Sequence, residues 1–158
     1  MLGPLRLLVD VVKAGYQVAT KMPRITCNIR SVYNARWSPD FFSDEHGNVE
    51  GEGIRIEACI SILLDNSGGA DTTLKDIYVV CKSHRKQLGR LSCYAIAKDK
   101  DRQLAGIIVE PRRIWGPETL EIVGSLWDID RPPKDLEATL VVEVVAQRPV
   151  KKKIKFYF

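Results

Sequence analysis

Gly53-Ile54-Arg55-Ile56-Glu57-Ala58-Cys59-Ile60-Ser61-Ile62-Leu63-Leu64 is the stretch on which the fold turns. Ile54, Ile56, Ala58, Ile60, Ile62 and Leu64 alternate with Arg55, Glu57, Cys59 and Ser61, a period of two that places one apolar row on one face of a sheet. Asp65-Asn66-Ser67-Gly68-Gly69 follows, with residues suited to turns, and the chain returns over residues 74–81. Residues 53–81 therefore read as a β-hairpin. A lone hairpin is not stable in water, so other strands must cover its apolar face.

Outward from that centre, strands are expected over residues 24–33, 91–98, 104–110, 118–127, 136–146 and 150–158. Eight short strands divided by turn signals, without alternating helices, predict a mainly β protein: an antiparallel β-sandwich over residues 23–158. Residues 1–22 read as a separate N-terminal amphipathic helix, with Leu5, Leu8, Val9, Val12, Tyr16 and Ala19 at helical spacing and Pro23 ending it. Three roles are open to that helix: packing on the sandwich, pairing with a second copy, or lying on a membrane surface. Asp10 and Lys13 interrupt its apolar run, which is too short to span a bilayer, and no small-residue cleavage site follows.

The 158 residues fit one ordinary domain, and at +4 the net charge is too mild to indicate nucleic acid by itself. Cys27, Cys59, Cys81 and Cys93 lie in expected strands without C-x-x-C spacing, which predicts buried free thiols, neither a zinc site nor a sandwich disulfide, and a reduced, cytoplasmic protein.

Candidate contact residues come from loops and outer faces. Residues 34–52 read as a long connection carrying Trp37, Phe41 and Phe42, which either cap one end of the sandwich or offer a contact surface. Its acidic second half fails the EF-hand register, since His46 and Gly47 fall where an oxygen ligand and a preceding residue belong. Residues 111–117, with two prolines and a glycine, read as an irregular crossover presenting Trp115. Val141 and Val145, together with Val123, fall on nominally outer faces and form an apolar patch that asks for a cover. Lys82, Arg85, Lys86 and Arg90 form a basic loop, while Lys151, Lys153 and Lys155 share one face of the last strand and read either as guards against edge pairing or as a phosphate-binding strip.

Asn66-Ser67-Gly68-Gly69 before Thr72-Thr73-Leu74-Lys75-Asp76-Ile77, Ile108-Val109-Glu110-Pro111 before Gly116-Pro117-Glu118-Thr119-Leu120, and the closing strand pair carry a family resemblance. Over residues 53–158 the chain resembles the bacterial and archaeal immunoglobulin-like domains of the cell-adhesion-related (CARDB-like) type. The resemblance implies a non-catalytic binding module and carries over no site residue.

No nucleophile motif, phosphate-cradling loop or metal-ligand spacing stands in the sequence, so no enzyme activity, cofactor or metal is expected. The leading expectation is a protein-interaction or scaffold module that self-associates, as a homodimer, through its helix or outer sheet face. The alternative is a basic-surface binder of nucleic acid or anionic membrane.

Overall fold

The computed structural model describes residues 21–83, 86–96, 101–102, 104–127, 129 and 134–158. The expected N-terminal helix, apart from its last two positions, lies outside the described residues, as does Arg85. Among the described residues are nine strands: β1 (Ile25–Ser43), β2 (Val49–Asn66), β3 (Thr72–Ser83), β4 (Lys86–Ile96), β5 (Asp101–Arg102), β6 (Ile108–Val109), β7 (Arg113–Trp127), β8 (Asp135–Val144) and β9 (Val150–Tyr157). The chain is mainly β, and among the described residues every strand pairing is antiparallel.

Hydrogen bonding runs in one path, β1-β2-β7-β4-β3-β8-β9, with β5 beside β4 and β6 beside β3. The path bends far enough that β1 and β9, its two ends, come close together. Inward rows from all the long strands meet in one core. Ile54, Ile56, Ile60, Ile62 and Leu64 of β2 are fully buried there with Ile77 and Val79 of β3, Leu120 and Ile122 of β7, Leu140 and Val142 of β8, and Phe156 of β9. The alternation in β2 thus translates directly into burial.

The pairing of β2 differs from the expectation. β2 does not form a hairpin with β3: it pairs with β1 and β7, and β3 pairs with β4 and β8. The physical reason is Asn66, buried at the end of β2 with all its side-chain bonding capacity used. Its Oδ1 accepts from Arg24 N and Gly68 N, both at 3.1 Å, and its Nδ2 donates to Ala70 O at 2.8 Å and Val109 O at 3.0 Å. These bonds hold the turn residues against two remote segments, so the chain crosses to another part of the sheet instead of doubling back. Gly68 permits the approach, because a Cβ there would meet Met22 O and lie 2.5 Å from Arg24 N.

Three further expectations are corrected. Residues 34–52 are not a long loop: β1 runs on to Ser43, and β2 begins at Val49. Residues 111–117 are not irregular throughout, since β7 starts at Arg113 and absorbs the cis Gly116-Pro117 peptide at a register shift opposite Ile62 and Leu64. The strand expected over residues 104–110 contracts to the two residues of β6.

Candidate functional site

The β1–β2 hairpin extends past the core and carries several exposed apolar side chains. Its turn is tight because Asp44 builds it. Asp44 Oδ1 accepts from the backbone N–H groups of His46 (2.9 Å) and Asn48 (2.8 Å), and Oδ2 accepts from Asn48 Nδ2 (2.9 Å). Gly47 takes a φ of +82°, which a side chain would disfavour. The bonds from Asn48 and the neighbouring amides hold the Asp44 carboxyl below its usual range.

Beside the turn, Phe41 and Phe42 are 57% and 52% exposed, Val49 is 58% exposed, and Trp127 at the end of β7 is 41% exposed. Phe42 pairs with Gly51 and Asp40 with Gly53, while Gly53 pairs on its other side with Trp127. The missing side chains at Gly51 and Gly53 let the outer rows of β1 and β7 meet across β2. Phe42 and Trp127 touch edge to face, with centroids 6.2 Å apart and ring planes at 65°. Ser125 Oγ donates to Asp40 Oδ2 over the same gap. A Cβ on Gly53 would strike Leu126 O and stand 2.7 Å from Trp127 Cε3, whereas one on Gly51 would meet nothing within 4 Å. The result is an open recess of about 390 Å³ lined by Phe42, Gly51, Glu52 and Trp127.

The other candidate residues are divided by their surroundings. Trp37 and Trp115 are half-buried and pack against the core, which makes them part of the wall. Val141 is only 3% exposed, held in register between Tyr78 of β3 and Lys151 of β9, so the expected outer valine patch is not open at its centre. Val145 lies beyond the end of β8, in a turn where its N–H donates to Thr73 O and its carbonyl accepts from Thr72 Oγ1.

Of the basic residues, Arg90 is engaged by Asp76 and lies 3.6 Å over the Tyr78 ring, whose hydroxyl donates to Glu143 at 2.8 Å. That bond to Glu143 pushes the Tyr78 hydroxyl above its usual value. Lys155 Nζ donates to Asp135 at 2.7 Å, which raises its ammonium likewise. Lys82, Lys153 and Lys155 converge on an open recess of about 500 Å³, shared with Glu137 and Thr139. Lys151 is exposed two residues before Lys153. Lys86 opens β4, opposite Ser83.

Sequence reading missed Trp127 as a contact residue. Its signal was present, an aromatic on the outer row of a strand, but its partner Phe42 comes from a segment read as loop. No helix among the described residues is long and apolar enough to cross a membrane. Comparison with known protein families, curated proteins and solved structures finds no match for this chain.

Proposed function

We propose that the protein is a non-catalytic interaction module that binds a protein partner through the end of the β1–β2 hairpin. The observation that carries this reading is the joining of Phe42 and Trp127 in the open, at a hairpin end where Phe41 and Val49 are exposed as well. Exposed aromatics on a rigid support are what protein interfaces favour, because they offer large contact area at small entropic cost. The recess is ready-made, since the Asp44 turn and the Asp40–Ser125 bond fix its walls before any partner arrives. Self-association, as a homodimer, is one form this binding takes.

The architecture proposed alongside is an immunoglobulin-like sandwich. Reading β1, β2, β3, β4, β7, β8 and β9 as strands A to G, the path is A-B-E-D followed by C-F-G, the two sheets of that sandwich run together through β4 and β3. The crossing from β2 to β3 then corresponds to the passage from one sheet to the other.

The test is co-purification from the protein's own cells with the intact chain and with a Phe42→Ser/Trp127→Ser variant. A protein, or a second copy, retained by the former and lost by the latter supports the reading. Identical sets of retained proteins, with both chains folded by circular dichroism, would reject it.

A second reading rests on the recess of Lys82, Lys153 and Lys155, as a binder of nucleic acid or anionic membrane. Glu137 inside it and the Asp135 bond to Lys155 reduce its pull on phosphate. Affinity for a nucleic acid that falls steeply with salt and is lost on Lys153→Glu would favour this reading over the first.

A further inference from the structure

The recess between Phe42 and Trp127 has the makings of a site for an organic cation. Two aromatic rings meeting at 65° form a corner, and the ring faces bordering it are electron-rich. Asp40 stands two residues before Phe42 on the same row of β1, whereas Glu52, which also borders the recess, pairs with Phe41 on the opposite row. The chain as a whole is basic, yet residues 40–52 contain Asp40, Asp44, Glu45, Glu50 and Glu52 and no Lys or Arg. At the floor, Gly51 leaves open space where a side chain would stand.

We infer that this corner binds the alkylammonium group of a lysine side chain, most tightly when it is trimethylated, presented by a basic segment of a partner protein. The proposal rests on the reading of the hairpin end as a protein-binding surface and names the chemistry of what it takes. Trimethylation spreads the charge over methyl groups that can lie against both rings and lowers the cost of stripping water from the cation. A neutral apolar group of the same shape gains the contact with the rings and loses the attraction of their faces. The acidic hairpin steers a basic segment toward the recess before contact, an effect that weakens with salt.

The test uses the purified full chain and a lysine-rich peptide of about ten residues with one trimethyl-lysine, alongside the same peptide with a neutral tert-butyl isostere at that position. Affinity is read by calorimetry, and contact with the recess by the emission of Trp127, isolated in a Trp37→Phe/Trp115→Phe background. The trimethylated peptide is expected to bind about tenfold or more tightly than its neutral twin. Phe42→Leu, which keeps apolar bulk but removes a ring face, and Gly51→Leu, which fills the floor, should each abolish that preference.

Equal binding of the two peptides would overturn the proposal and leave a plain apolar contact. Binding to phosphatidylcholine vesicles without binding to the peptide would overturn the lysine source. If co-purification yields a partner that depends on Phe42 and Trp127 while neither peptide binds, the cation site is wrong and the interaction surface stands. If both experiments fail, the surface itself is wrong.

Discussion

Gln147 joins the two ends of the sheet at Ile25. Its Oε1 accepts from Ile25 N at 2.7 Å and its Nε2 donates to Ile25 O at 3.1 Å, so one side-chain amide bonds the backbone as a neighbouring strand would. Gln147 lies between β8 and β9, and the preceding Ala146 takes a φ of +62°. The pair closes the gap where β9 approaches β1, and it caps the edge of β1 at the point where that strand enters the core.

Gln147→Ala leaves both polar groups of Ile25 without this partner, in a part-buried setting, and should destabilise the fold by about 1–2 kcal/mol. Hydrogen exchange at the Ile25 amide should accelerate more than at any β2 amide. Unchanged denaturation midpoint and exchange would mean that the edges are held by other contacts.

Asn66 is expected to be the more costly position. Asn66→Ala strips partners from Arg24 N, Gly68 N, Ala70 O and Val109 O at once, and should cost about 2–4 kcal/mol by chemical denaturation. Asn66→Asp keeps the acceptor but loses the Nδ2 donor and buries a charge, so it should not rescue the loss. A variant as stable as the parent would contradict the role given to Asn66 in the β2–β3 crossing.

The four cysteines are free thiols, with Cys27, Cys81 and Cys93 buried. Burial pushes Cys81 and Cys93 up to about 12, and pushes Cys27 up to about 11 against the opposing charge of Lys152. Burial, then the charge of Glu121, raises Cys59 as well, although that side chain is half-exposed. In the native protein at neutral pH a thiol reagent should label Cys59 alone, and the other three only on unfolding. Thiols raised by folding favour the native state below their unfolded value, and this contribution is lost as pH rises through the folded values. Stability should therefore decline from about pH 9 upward. Rapid labelling of four thiols in the folded chain would contradict the burial.

Acid should act on the hairpin turn. The Asp44 carboxyl is held low by its bonds to Asn48, His46 and Gly47, so its stabilisation is present above the unfolded carboxyl value and disappears as pH falls through the lower folded one. The amide resonances of His46 and Asn48 should titrate with a midpoint below the ordinary aspartate range, and Asp44→Asn should remove most of that titration. A midpoint at or above the ordinary value would show that the turn is not held by the carboxylate.

The strands that could be read in the sequence are those with one buried row. β2, β8 and β9 alternate because one face meets the core, and Lys151, Lys153 and Lys155 fall on the opposite face as their spacing requires. The far half of β1 was not legible because its partner β2 covers one edge only and both its faces reach solvent, so alternation is lost. Pro39 looks like a loop residue there, but an edge strand tolerates a proline that needs no ladder donor. The β2–β3 crossing was illegible for another reason. Asp65-Asn66-Ser67-Gly68-Gly69 has the composition of a hairpin turn, and only the remote partners of Asn66, Arg24 and Val109, reveal where the chain goes. The recess shares this dependence: Phe42 and Trp127 stand 85 positions apart, and the two glycines between their rows give no sign in sequence that they separate aromatics.

Site-specific photo-cross-linking in the protein's own cells tests the hairpin surface most directly, with a benzophenone side chain placed at position 41 and, as control, at position 119 on the outer row of β7. The hairpin position should yield a discrete protein adduct that disappears when Phe42 and Trp127 are both changed to serine, and position 119 should yield none. Adducts of equal intensity from the two positions, or an adduct that persists in the double variant, would contradict a binding surface at this end of the molecule.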